Sequence, residues 1–183
     1  MSLKTLMASA AVALALPVAA NAAMFENCTG FSLTSSGDGS VVASANGAFD
    51  CAFTLTGVND GNAGLTQYTA VADMGYLVDF QWAYSSDDVD DSSFDPAGFT
   101  INGVLTQLTV TEEPPAIQDG AGAFQILAGD TFGWYVDSTD GILGAADLDV
   151  FSNFTVVPLP AGGLLLLTAL GGMAVVRRRR KAA

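Results

Sequence analysis

The run Tyr76-Leu77-Val78-Asp79-Phe80-Gln81-Trp82-Ala83-Tyr84 (YLVDFQWAY) decides how this chain folds. Tyr76, Val78, Phe80, Trp82 and Tyr84 alternate with Leu77, Asp79, Gln81 and Ala83, so an extended backbone places every ring on one face and a mixed set on the other. A helical period would scatter the same rings around a cylinder. The alternation therefore predicts a half-buried β-strand. It recurs in AFDCAFTL, where Phe49, Cys51, Phe53 and Leu55 share a face, and in TFGWYVD, with Phe132, Trp134 and Val136. LDVFSNFTV repeats it with Leu148, Val150 and Phe154.

Two Asn-Gly pairs, Asn46-Gly47 and Asn102-Gly103, interrupt apolar runs, and each suits the centre of a type I′ hairpin turn. Between the strands lie Gly, Asp and Ser, and no stretch of the body sustains a helical period with caps. The expected fold is all-β, an antiparallel β-sandwich with a jelly-roll-like arrangement of about eight strands. A mixed α+β domain is the alternative architecture. Glu112 to Gly122 (EEPPAIQDGAG) reads as a loop, because Pro114-Pro115 can neither continue a ladder nor enter a helix interior.

Charge is divided sharply along the chain. All 19 acidic residues lie in the body, all six Lys and Arg lie at the two ends, and there is no His. Such a body repels nucleic acid, whose binding depends on Lys and Arg meeting phosphates. It also lacks a cation to hold a phosphate or carboxylate substrate. Self-repulsion calls for screening or for bound cations, and the prevalence of Asp over Glu suits both turns and Ca²⁺, a hard ion that takes oxygen ligands. Cys28 and Cys51 are the only cysteines; in an exported chain they read as a disulfide, with two free thiols as the other possibility.

Export is read from the N-terminus: Lys4, an apolar run from about Leu6 to Val18, and Ala20-Asn21-Ala22, the small-x-small pattern accepted by signal peptidase. Residues 1–22 are the expected signal peptide, with cleavage after Ala22 or Ala23, and the general secretory route is indicated because no Arg pair precedes the apolar run. Residues 23–155 form the expected acidic domain. Residues 156–183 form a tail in which Leu159 to Val176 is an uncharged run, roughly 27 Å long as a helix. The basic block Arg177, Arg178, Arg179, Arg180 and Lys181 follows as a cytoplasmic stop.

The tail's Val157-Pro158-Leu159-Pro160-Ala161, followed by the apolar run and the Arg block, resembles the VPLPA variant of the PEP-CTERM sorting signal of Gram-negative envelope proteins. The resemblance implies recognition by an exosortase, a membrane transpeptidase that cuts near the Pro motif at the inner membrane and passes the body to the cell surface or extracellular matrix. Pro158 and Pro160 fit that role by keeping the backbone extended just outside the bilayer. The body segment running from FDPAGFTINGVLTQL through AGDTFGW to the closing SNF is also similar to the bodies of short PEP-CTERM-type exported proteins. The implied setting is an exopolysaccharide or biofilm matrix. A permanent single-pass anchor is the competing reading of the same tail.

The acids and the aromatics supply the candidate sites. Asp87, Asp88, Asp90, Asp91 and Asp95 crowd one inter-strand loop, a candidate Ca²⁺ site without the spacing of an EF-hand. Asp137, Asp140, Asp147 and Asp149 make a second group and Asp60-Gly61-Asn62 a third. Trp82, Tyr84, Trp134 and Tyr135 are the candidate sugar-stacking residues, although the alternation assigns most of them to the core and leaves Tyr135 as the one expected to face outward. No Ser-His-Asp set, His-based zinc site or phosphate-cradling loop is present, so the reading is non-enzymatic. A structural or adhesive matrix protein is expected, with a Ca²⁺-dependent carbohydrate-binding module as the alternative.

Overall fold

A computed structural model describes residues 23–44, 47–89, 91–111 and 116–157. The signal peptide, the apolar run, the basic stop and all of the sorting motif except Val157 lie outside the described residues, as do Asn46 and Asp90. Among the described residues no helix is long and apolar enough to cross a membrane.

A short 3-10 segment, Ala23–Cys28, leads into ten strands. They are β1 (Ser32–Ser35), β2 (Ser40–Ser44), β3 (Cys51–Thr56), β4 (Gly64–Val71), β5 (Tyr76–Ser86), β6 (Ala97–Ile101), β7 (Val104–Gln107), β8 (Ala116–Ile126), β9 (Thr131–Ser138) and β10 (Ala146–Val156). They form two five-stranded sheets, ordered β1-β4-β9-β6-β7 and β2-β3-β10-β5-β8, and every pairing is antiparallel. From β3 onward the chain crosses between sheets at every connection except the β6–β7 hairpin. That wiring, 3-10-5-8 facing 4-9-6-7, matches the jelly-roll-like expectation, with β1 and β2 added at the edges.

The alternation that predicted β5 is realised along its length: Tyr76, Val78, Phe80, Trp82 and Tyr84 are buried while Leu77, Asp79 and Gln81 are exposed. Between the sheets the rings pack in a mixture of edge-to-face and tilted pairs, with Phe99 stacked on Phe124, all offset arrangements that aromatic quadrupoles tolerate or favour. Trp134 is fully buried at the centre, with the rings of Phe31, Phe53, Phe80, Phe124 and Phe132 at 5.5 to 6.4 Å. Cys28 and Cys51 are joined, as expected, and their disulfide pins the N-terminal segment to β3. Phe25 is thereby held over one end of the core, against Phe31, Tyr76, Phe132 and Phe154.

Asn102-Gly103 makes the expected two-residue turn, both residues having positive φ (52° and 79°) and Ile101 pairing with Val104. The β2–β3 connection is not a two-residue turn, since Ser44 pairs with Ala52 and leaves a longer loop around Gly47.

Two further expectations are corrected. The loop predicted over Glu112 to Gly122 is strand from Ala116 on, and β8 pairs with β5 over all eleven residues. The restriction that Pro114-Pro115 impose does not reach Ala116 and beyond, and the glycines of this strand are there for fit: a Cβ on Gly120 would lie 2.8 Å from Trp82 Nε1, and one on Gly122 would lie 2.7 Å from Phe80 Cζ. The inward rings of β5 thus require glycine opposite them. Phe49, expected to share the inner face with Cys51, precedes β3 and packs instead against Phe151 on the outside of the sheet. The chain kinks at Asp50, whose N–H donates to Asn153 Oδ1 and whose carboxylate accepts from the Phe154 N–H.

Candidate functional site

The outer face of β2-β3-β10-β5-β8 carries a shallow depression of about 200 Å³, lined by Phe49, Asp79, Phe80, Gln81, Ala121, Gly122, Phe151 and Asn153. Its construction follows from register. β10 sets Phe151 beside Gln81 and Asn153 beside Asp79, and β5 in turn sets Gln81 beside Ala121 and Asp79 beside Ala123. The alanines leave the β8 side low, while Phe151 and Phe49 raise a wall on the other, their ring centroids 5.4 Å apart at an interplanar angle of 45°. The Gly-Ala run of β8 therefore serves both faces, glycines admitting rings inside and alanines opening the depression outside.

The polar groups in the depression have hydrogen-bonding capacity to spare. Asn153 Oδ1 accepts the Asp50 N–H at 3.2 Å, which fixes the amide and leaves its NH₂ without a partner among the described residues. Asp79 and Gln81 are exposed, and neither side chain is engaged by another described residue. Further along the face, Thr56 donates to Asp147 at 2.6 Å and Thr54 donates to Asp149. The arrangement offers apolar ring surface, a carboxylate acceptor and amide donors within one shallow space. It holds no nucleophile paired with a base.

The four aromatics proposed from sequence are not part of this surface. Trp82, Tyr84 and Trp134 are buried between the sheets. Tyr135 points to the face opposite Trp134, as its alternation requires, but only 3% of it is exposed, which corrects the expectation of an outward, accessible ring. Burial accordingly raises its hydroxyl pKa. The rings that line the depression are the half-buried Phe49 and Phe151. The alternation in LDVFSNFTV already put Phe151 and Asn153 on the outer face; the kink that delivers Phe49 had no such signal.

The crowded acids separate by environment. Asp87 and Asp91 lie toward solvent, and Asp91 is held below the usual carboxylate range by hydrogen bonds from the Ser93 hydroxyl and N–H. Asp88 and Asp95 are buried, at 1% and 2% exposure. Burial pushes the Asp95 carboxyl up to about 6; hydrogen bonds from Ser138 and Ser86 oppose the rise, and the charges of Asp88 and Asp140 add to it. Asp95 Oδ2 has no hydrogen-bond partner among the described residues. The Tyr84 hydroxyl donates to the Asp95 carbonyl at 3.0 Å, and its own pKa is raised by burial.

Of the second acidic group, Asp140 joins this end of the sandwich, Asp137 is half-buried with a raised pKa, and Asp147 and Asp149 belong to the outer face. Asp60 turns back on Asn62, and the loop is tied to Gly141 through the Gly61 N–H. Among the described residues no three Asp, Glu or Cys converge on a point where a metal ion would sit.

No protein-family model matches the sequence, and no curated protein does. Among solved structures the chain is similar to the native structure of a family 35 carbohydrate binding module from Clostridium thermocellum. Identity is 12%, the match covers 65% of this chain and 91% of that one, and the TM-score is 0.35. A likeness that slight bears on neither fold nor function.

Proposed function

We propose that this chain is an exported cell-envelope or matrix protein whose β-sandwich is structural or adhesive and holds polysaccharide at the depression beside Phe151. The depression carries the reading. Two half-buried phenylalanine rings line the depression next to a carboxylate and two side-chain amides with unused hydrogen-bonding capacity, which is the mixture a sugar requires, with its C–H faces and hydroxyl edges. The role is binding, without turnover. The disulfide suits an oxidising compartment.

Lys4, the apolar run from about Leu6 to Val18 and Ala20-Asn21-Ala22 support export and cleavage by signal peptidase, and the resemblance of the tail to a VPLPA sorting signal supports transit through the inner membrane and processing by an exosortase-type transpeptidase. Two experiments test the proposal. Native protein from its own cells should be retained on the exopolysaccharide of those cells and released when Phe151 or Gln81 is replaced by Ala; equal retention of the variants would refute binding at this face. Its intact mass should end near Val157, and replacing Pro158 and Pro160 by Ala should leave it membrane-retained. A mass that keeps Arg177 to Lys181 would make the tail a permanent anchor and overturn the sorting reading.

A further inference from the structure

Resting on that reading, we infer that the depression takes an uncharged sugar residue within a longer glycan and rejects acidic sugars. Size, hydrogen-bonding complement and charge each contribute.

The volume is about 200 Å³, below the roughly 300 Å³ at which pockets begin to enclose a drug-sized ligand. One six-membered ring fills it, and the rest of the glycan runs over the open sheet. The wall of Phe49 and Phe151 gives the C–H face of that ring an apolar partner. Beside the wall, the Asp79 carboxylate on β5 accepts from hydroxyls, while the NH₂ of its cross-strand neighbour Asn153 on β10, whose amide is locked by Asp50, donates to hydroxyl oxygens. Gln81 does either. A hydroxyl is donor and acceptor together, so neighbouring hydroxyls on a neutral ring satisfy this set with no charge left over.

A carboxylate, sulfate or phosphate on the sugar meets the opposite situation. Asp79 lies in the depression, and Asp119, Asp147 and Asp149 lie on the same outward register of β8 and β10. Residues 23–157 contain no Lys, Arg or His. An anionic substituent brought to this face therefore finds like charges and no side-chain cation to pair with. Discrimination against it comes from repulsion as much as from a missing attraction.

The test is calorimetric, on native protein in chelator, with neutral hexamers of glucose, mannose and galactose set against hexamers of galacturonate and guluronate, at low and at physiological salt. At least one neutral hexamer should bind with an affinity that changes less than about twofold between the salts, and should lose roughly tenfold or more in Gln81→Ala and in Phe151→Ala. The Gln81 change is on an exposed side chain and leaves the core untouched, so the test survives should Phe151→Ala unfold. A uronate hexamer bound as tightly as the neutral ones, and lost in Gln81→Ala, overturns the inference while leaving the site a glycan site. Binding of no hexamer of either class overturns the inference together with the glycan reading beneath it.

Discussion

Replacing Asp95 by Asn should stabilise this protein at neutral pH and leave it nearly unchanged in acid. Asp95 is 2% exposed, and burial, with Asp88 and Asp140 nearby, moves its carboxyl from 3.8 to about 6. At about 1.4 kcal/mol per pH unit that displacement corresponds to about 3 kcal/mol. The folded pKa is the raised one, so folding favours the protonated carboxyl. Its contribution is fully present below pH 3.8 and is lost as pH climbs through about 6. Above that, folding must hold a buried anion, with the acids Asp88 and Asp140 near it and no Lys, Arg or His anywhere in residues 23–157. Asparagine keeps the shape and an acceptor for Ser138 and Ser86 while discarding the charge. The expected result, by calorimetric melting in chelator, is equal midpoints near pH 3.5 and a gain of up to about 3 kcal/mol for the variant at pH 7.5. For a domain of this size that is roughly 10 °C. A variant no more stable than the parent at pH 7.5 would refute the reasoning, showing that the hydrogen bonds from the two serines outweigh the burial of the anion.

The same deficit of cations predicts that Ca²⁺ raises the melting midpoint at pH 7.5 more than NaCl of matched ionic strength; equal shifts would reduce the effect to screening. Reduction of the Cys28–Cys51 disulfide, which spans 23 residues, should cost roughly 3 kcal/mol in the chain-entropy model, read as a lowered denaturant midpoint, and an unchanged midpoint would show that the packing of Phe25 alone holds the N-terminal segment. Trp134→Ala should cost about 3–5 kcal/mol, whereas Trp134→Phe should cost distinctly less, because the indole N–H has no hydrogen-bond partner among the described residues to lose. Equal losses in urea melts would point to a partner for that N–H.

What could be read from sequence was what one strand states about itself. β5 announces its inner face by strict alternation, the Asn102-Gly103 turn by a residue pair that readily takes two positive φ values, and the disulfide by there being only two cysteines. What was missed depends on a neighbour. The glycines of β8 are explained by Trp82 and Phe80, some forty residues earlier, so in isolation Ala116 to Gly122 carries the composition of a loop. Phe49 continues the alternation of β3 on paper, and only the anchoring of Asp50 to β10 breaks it. The acids of the 87–95 loop look alike in sequence, yet the chain turns two of them inward beside Ser86 and Ser138. The depression itself is a product of register across three strands, and no single segment encodes it.

Charge also bears on how the fold avoids its own copies. Among the described residues β8 is an edge strand of eleven residues, with no Lys and no Pro, bearing exposed Ile117 and a single charge at Asp119. By the usual rules such an edge invites pairing with another chain, because short length, lysines, prolines or bulges are what normally blunt it. Gly120 and Gly122 cannot be exchanged for bulkier or bulge-forming residues without displacing Trp82 and Phe80. Local protection is therefore unavailable at the middle of this strand, and protection must come from a longer-range source. A body holding 19 acids and no basic residue supplies one, since two copies meeting edge to edge bring together like charges over their whole surfaces. Such protection weakens with salt and with acid, whereas lysine or proline at the edge would act in both. Self-association of the protein should accordingly rise as pH falls through the carboxylate range and the acids lose their charge, and as ionic strength increases. Light scattering that stayed flat across both titrations would show that the β8 edge is guarded by contact instead of by charge.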